Sequence, residues 1–440
     1  MIYWDIKFQM CRCCINQEWF EFMNNLLNGL RILDLTQVAA GPYTTMLMGY
    51  FGADVIKIES SSRMDINRGP VKPSPATHTV YPNNNPGNQP WNLAAHHIQR
   101  NVNKLCITLD LSQAEGKKQI YELIKISDVF IENFRASVVD RLELDYESVR
   151  KINPSIIYAK ISSQGNTGKE KNYGSLGSTL EQTGGLASVT GYLGNNPLLT
   201  NETFPDPMVG LFSVGIILSA IRRRQMFGKG CFIDLSQREL TVNLIGEHIL
   251  ESQSDIQLPK LLGNSHKIFA PQGVYKCLGE DDWITISISS DKEWVTLCNI
   301  MNKDNLIKKK EYKTAFDRHK YSKQIDVIIN EWTASKTKYK LMTLLQEADI
   351  AAGVVSKGRE VVNDPQLNFL HFWDNVNHPH AGNYKQVTTP WNFSNFARNI
   401  TTPAHDLGED NQNIFQNFLG LDNNKYQYLL DSNIIGGNPS

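Results

Sequence analysis

Over 440 residues, 44 Lys and Arg almost cancel 45 Asp and Glu, and 41% of the chain is hydrophobic. Such a near-neutral chain has no field of one sign to draw in nucleic acid or an anionic membrane, so its expected partners are small molecules. The length suits two or three domains with a large buried core, and seven scattered cysteines read as reduced thiols of an intracellular, soluble protein, cytoplasmic by default with an organelle left open.

Residues 1–28 show no basic region followed by an apolar stretch and a cleavage site, and Asp5, Glu18 and Glu21 interrupt them. Cys11, Cys13 and Cys14 are bunched there, but no second Cys or His pair stands at ligand spacing, so no metal is expected.

From residue 30 the pattern alternates. "RILDL" reads as a strand, Pro42 opens the helix "YTTMLMGYFG", and "DVIKIE" is a second strand. After a polar loop through "YPNNNPGNQPW" come strand "KLCITLDL", helix "AEGKKQIYELIKI", strand "DVFIENF", helix "YESVRKI" and strand "IIYAKIS". This alternation predicts a parallel sheet covered by helices, with ligands outside the carboxyl ends of the strands. The loops there are "QVAAGP", "ESSSRMD", "ENFRAS" and "SSQGNTG". Ala39, Ala40 and Gly41 lead into a helix start that suits an anion, without the G-x-G-x-x-G spacing of a dinucleotide site. Lys57, Arg63, Arg68, Lys104, Arg135, Arg141 and Lys171 lie near these loops and are available to phosphates, although each alone reads as a solvated surface charge.

In "PDPMVGLFSVGIILSAIRRR" (205–224), Asp206 is held between two prolines before an apolar helix. Locally it reads as an N-cap facing the positive end of the helix dipole, with Pro207 at the first helical position. The apolar run closes at Arg222 to Arg224, too short to span a bilayer. Beyond about residue 258, "GVYKC", "LGEDD" and "WITISIS" predict a hairpin. The helices "KEWVTLCNIMN" and "IDVIINEW" to "LMTLLQEA" follow, then the strand "AAGVV", which together make a smaller α+β domain. The tail from "TTPAHDLGED" to "IIGG" is helical in its middle.

An ordered set of stretches resembles the family III CoA-transferases, the group of formyl-CoA:oxalate and carnitine CoA-transferases. They are "GLRILDLTQVAAGPYTTMLMGYFGADVIKIES", "NKLCITLDL", "DVFIENFRASVVDRL", "INPSIIYAKIS", "FPDPMVGLFSVGIILSAIRRRQMFGKGCFIDLSQRE", "GNSHKIFAPQGVY" and "TTPAHDLGED". The resemblance implies an α/β fold: a Rossmann-like large domain with a parallel sheet, an inserted smaller α+β domain, and an interlocked homodimer. The expected boundaries are 29–235 for the first part of the large CoA-binding domain, 236–375 for linker and small domain, and 376–440 for the return, with 1–28 an extension of unknown role.

The resemblance also makes Asp206 the catalytic nucleophile. The expected activity transfers coenzyme A from an acyl-CoA to a small carboxylic acid through aspartyl anhydride and thioester intermediates. It carries Val38 and Ala40 to the adenine-side loop, and Lys104, Asn133, Phe134, Arg141 and Lys171 to positions that hold nucleotide and pantetheine. Ser60 stands where the family often has a basic residue, so Arg63 is expected to supply that phosphate contact. Ser162 stands where some members have Lys, with Lys160 nearby. Two alternatives stay open: a racemase or isomerase of the same fold, which carries a His where this chain has Tyr173 and Gly174, and a non-catalytic acyl-CoA-binding relative. The stretches 180–200 and 263–272 are expected to line the acyl side.

Overall fold

The computed structural model describes residues 26–192, 194–200, 203–254, 261–394 and 402–439. The cysteine bunch at 11–14, and nearly all of the extension that holds it, lie outside the described residues.

Six strands form one parallel sheet: β1 (Arg31–Asp34), β2 (Asp54–Glu59), β3 (Lys104–Thr108), β4 (Val129–Glu132), β5 (Ile157–Ser162) and β6 (Cys231–Ser236), in the order β3-β2-β1-β4-β5-β6. Successive side chains of a strand point to opposite faces. Ile32, Val55, Val129 and Ile131 therefore feed one apolar cluster, and Leu33, Ile56, Ile107 and Phe130 the other. Helices α1 (Ala40–Tyr50), α2 (Ala95–Arg100), α3 (Ala114–Lys125), α4 (Ala136–Leu142), α5 (Tyr146–Ile152), α6 (Gly177–Thr183), α7 (Pro205–Phe227) and α8 (Gln237–Asn243) accompany the sheet. On the first face α1 and α7 pack along each other, with Met46, Leu47, Val209 and Ile217 in the core. The second face is closed by Ile120 and Leu123 of α3 and by Ile414, Phe415 and Leu429 from the tail.

The edge strand β3 is sealed by that tail. The Cys106 N–H donates to Asp410 Oδ2 at 2.6 Å, the Asp410 N–H to Cys106 O at 3.0 Å, and the Thr108 N–H to Asn411 Oδ1 at 2.9 Å. β6, α2, α4, α6 and α8 have no counterpart among the elements expected from the pattern. The helix placed at Pro42 starts two residues earlier, at Ala40.

α7 is 23 residues long, because it continues through the arginines to Phe227, and by length and composition it is capable of crossing a bilayer, contrary to the sequence expectation. Its Val209, Gly210, Ser213 and Ile217 are buried instead against protein.

The chain divides into two compact units. The first holds the parallel sheet and runs to Gly184, resumes for the stretch ending at Leu244, and takes in Phe369 onward. The second comprises Gly185–Thr200 and Ile245–Asn368. Its antiparallel sheet joins β7 (Gln272–Lys276), β8 (Trp283–Ser287) and β9 (Ala351–Val354). Helices Asp291–Ile300, Ser322–Thr333 and Lys338–Gln346 pack on it through Trp294, Leu297, Ile329 and Leu341. Within this unit the expected acyl-side stretches meet: the Gly263 N–H donates to Gly191 O at 2.8 Å.

Candidate active site

The strand order reverses between β1 and β4, and the crevice at their carboxyl ends is where such sheets bind ligands. The loop leaving β1 is held there from several sides. Asn133, just past β4, accepts from the Gln37 N–H at 2.8 Å and donates to Gln37 O at 2.7 Å, so one side-chain amide continues the strand pairing across the crevice. Lys57 Nζ donates to Thr36 O at 2.9 Å, and Asp65 accepts the Val38 N–H at 3.0 and 3.2 Å. Val38 O accepts from Asn67 and, at 3.2 Å, from Arg100 Nη1. These bonds hold Val38 at φ 69°, a left-handed conformation that a β-branched residue rarely adopts. Backbone strain of this kind persists only where the surroundings over-determine it, and it clusters at functional sites. Gly41 follows because there is no room for a side chain: a Cβ there would lie 2.3 Å from Thr36 Cβ.

The loop brings the Ala40 amide close enough to Asp206 to favour its ionised form, so the anion at this helix start is a side chain of the protein itself. Asp206 is not the N-cap. α7 begins at Pro205, Phe204 occupies the cap position without a side-chain bond, and Asp206 is the second residue of the first turn, its N–H bound to Thr203 O at 2.9 Å. Pro205, rather than Pro207, takes the first helical position. Thr203 has φ 47°, a second β-branched residue in the left-handed region beside the same carboxylate.

Asp206 is 7% exposed. Burial pushes its carboxyl above the ordinary value; the Thr203 side chain, the Arg100 guanidinium and the Ala40 amide pull it back, and Glu181 pushes it up again. The ionisation favoured by the helix start is thus offset by desolvation. α6 passes so close that a Cβ on Gly177 would sit 2.2 Å from Asp206 Oδ2. Arg100, Gly177 and Thr203 are site residues that the sequence reading missed, and Glu181 was included only in the stretch 180–200 without a role; Arg100 comes from α2, Gly177 and Glu181 from α6, and Thr203 from the turn before Asp206.

The other expected residues divide into two groups. Arg63, Arg141 and Lys171 are exposed, in the turn after β2, in the last turn of α4 and in the loop after β5. Phe134 is half-buried, its N–H bound to Glu132 Oε2 at 2.7 Å. Lys104 and Lys57, on strands, and Arg68, in a short turn after β2, are buried rather than solvated. Lys104 Nζ donates to Asp34 Oδ2, Pro42 O and Asn101 Oδ1 at 3.2, 2.9 and 2.9 Å, so a phosphate contact would require breaking one of these bonds. Lys57 faces Asp65, and Arg68 is paired with Glu59. The sheet is covered on both faces, so a cation in a strand has to find its counter-ion inside. Arg135 lies against Gly174, Lys160 is paired with Glu132 at 3.0 Å, and Tyr173 is exposed.

A buried carboxylate with a backbone N–H beside it, at the switch point of a doubly wound sheet, can attack a carbonyl and have the resulting oxyanion received by that amide. Fold and site define an α/β group-transfer enzyme. The chain belongs to CoA-transferase family III, whose pattern it matches over residues 27–411, and it is a CoA-transferase. It is 29% identical to the formyl-CoA:oxalate CoA-transferase of Rhodopseudomonas palustris (strain BisA53), covering 94% of this chain and 98% of that one. It is 28% identical to the succinyl-CoA:glutarate CoA-transferase of Mus musculus, covering 93% and 90%. The crystal structure of a CAIB/BAIF family protein from Brucella suis is similar at TM-score 0.79 and 26% identity, covering 90% of this chain and 100% of that chain.

Proposed function

We propose that the protein moves coenzyme A from an acyl-CoA donor to a small carboxylic acid, with Asp206 as the covalent carrier. The observation that carries this reading is the Asp206 carboxyl, buried and oriented beside the Ala40 amide. In the first half-reaction a carboxylate oxygen attacks the thioester carbonyl; the C–S bond breaks, CoA thiolate leaves, and a mixed anhydride forms. The thiolate then attacks the aspartyl carbonyl, giving an enzyme thioester and releasing the donor acid. The acceptor carboxylate attacks that thioester, and the displaced thiolate attacks the acyl carbon of the new anhydride, which restores Asp206 and yields the new acyl-CoA. No step consumes ATP, because each intermediate stays activated.

Arg63, Arg141 and Lys171 supply exposed cations for the CoA phosphates, and the Val38 to Ala40 loop with Asn133 and Phe134 forms the crevice wall. The acids are sought among the classes handled by the relatives, by pairing formyl-, succinyl- and other acyl-CoA donors with mono- and dicarboxylate acceptors and reading products by mass spectrometry.

Incubation with a productive acyl-CoA is expected to leave an adduct on the peptide containing "FPDPMVG", either the anhydride trapped by hydroxylamine or the CoA thioester reduced by borohydride. Rapid exchange of the substrate α-hydrogen with deuterated water, without exchange of labelled CoA between two acids, would overturn transfer in favour of isomerisation.

The same proposal includes two subunits threaded through one another. Rings so linked cannot part without unfolding, so sedimentation at nanomolar concentration is expected to show dimer alone. A folded monomer there contradicts the interlocked arrangement.

A further inference from the structure

Glu181 is a second buried carboxyl beside the nucleophile, and the transfer chemistry does not use it. It is 1% exposed and lies on α6 one turn after Gly177, so the two share the face turned toward Asp206. Its Oε1 accepts the backbone N–H of Phe204 at 3.2 Å. Phe204 occupies the cap position of α7, and its own side chain makes no capping bond. The first N–H groups of a helix have no partner within it, and Glu181, brought from another element, satisfies the one at the cap position. The N–H that Glu181 holds is two residues before Asp206. Thr203, on the other side of that N–H, is the strained residue that bonds the Asp206 carboxyl.

We infer that Glu181 is a positioning residue for the transfer reaction: by holding the Phe204 N–H it fixes the first turn of α7 and so keeps the Asp206 carboxylate against the Ala40 amide. This rests on Asp206 being the nucleophile. Its place next to another carboxyl gives it a second effect, because Glu181 disfavours the ionised form of Asp206. Arg100 of α2 opposes it from the other side, and Tyr43 of α1 feels the same guanidinium. α8, packed on both α6 and α7, carries Glu239 and Arg238, whose Nε donates to Thr183 O at 3.2 Å and whose Nη1 binds Glu170.

The test measures CoA transfer across pH for Glu181→Ala and Glu181→Gln, with Asp206→Ala beside them. Glu181→Ala loses the bond and the charge. Its kcat is expected to fall about 10²-fold, the scale of a nucleophile displaced by an ångström, with KM for acyl-CoA little changed. Glu181→Gln keeps an acceptor oxygen for Phe204 and is expected to recover most of that loss, with the acidic limb of its pH profile moved to lower pH because the neighbouring anion is gone. Wild-type kcat in Glu181→Ala overturns the inference, as does a Glu181→Gln variant as slow as Glu181→Ala with an unmoved limb. Should Glu181→Ala fail to give a native circular dichroism spectrum, Glu181→Met, which fills a similar volume without an acceptor for the Phe204 N–H, takes its place, and wild-type kcat there overturns the inference. Transfer by Asp206→Ala at the wild-type rate would instead remove the nucleophile itself, an outcome distinct from either Glu181 result.

Discussion

Asp206→Asn is expected to abolish CoA transfer, by the order of 10⁴ to 10⁶ that removal of a covalent nucleophile typically costs, while the protein becomes no less stable at neutral pH. The second half follows from the direction of the carboxyl shift. Burial raises the folded-state pKa above its unfolded value. Between those two values the native state holds a proton that the unfolded state has lost, so stability falls as pH rises through the window and stays lower above it. The neutral amide of Asn has no such loss, and it keeps one acceptor oxygen for the Thr203 and Ala40 donors. Denaturation of wild type and variant across pH is expected to show the Asn form equal or more stable at neutral pH. The difference should vanish below the ordinary carboxylate range. Retention of transfer, or a variant destabilised most at high pH, contradicts the assignment.

The largest stability effect is expected at Arg68. Its side chain is fully buried; Nε lies 2.8 and 3.0 Å from the Glu59 oxygens, Nη1 donates to Asn92 Oδ1 at 2.8 Å, and Nη2 reaches Cys106 Sγ at 3.1 Å. Burial tends to push the Glu59 carboxyl up, but Arg68 and Lys57 outweigh it and hold the group below its ordinary value. Arg68→Met strands that carboxylate with one cation fewer, and a broken buried pair costs about 3–5 kcal/mol. Arg68→Lys cannot replace the fork of donors and is expected to fall between the two. The double variant Arg68→Met with Glu59→Leu removes the orphaned charge too, and denaturation is expected to find it more stable than Arg68→Met alone. Equal stability of the single and double variants would show that the pair carries no such weight.

Activity should report the same damage. Glu59 Oε2 accepts the Asp65 N–H at 3.0 Å, and Asp65 in turn accepts the Val38 N–H. Loosening Arg68 therefore reaches the strained loop that presents the Ala40 amide.

The strands of the parallel sheet that were legible are those whose apolar runs need no partner to be recognised: β1 to β5, each close to its expected place. "DVIKIE" shows the limit of that reading. A lysine in an alternating strand suggests a solvent face, yet β2 is covered on both sides and Lys57 is buried against Asp65, a partner supplied by the following loop. At the site, the two prolines and the apolar helix made Asp206 visible, but both prolines suit a first helical position and the local pattern could not choose between them. Pro205 takes it because Phe204 is held from α6. Arg100 and Glu181 were illegible for the same reason: they meet Asp206 only after segments separated along the chain have folded together. β6 is the outer strand of the sheet and its first four residues are half-buried or exposed, so "CFIDLS" lacks the unbroken apolar run of the inner strands.

The seal on β3 has a consequence for synthesis on the ribosome. Cys106 and Asp410 are 304 positions apart, so the edge of the sheet emerges long before the residues that cover it. Until then β3 presents unpaired backbone groups, the template on which chains stick to one another. The second unit lies almost wholly within Ile245–Asn368 and has its own core, so it can close while the sheet is still waiting. The nascent chain thus spends most of its translation with an open sheet edge, and the final turn of its making, not the first, is what renders it safe from its neighbours.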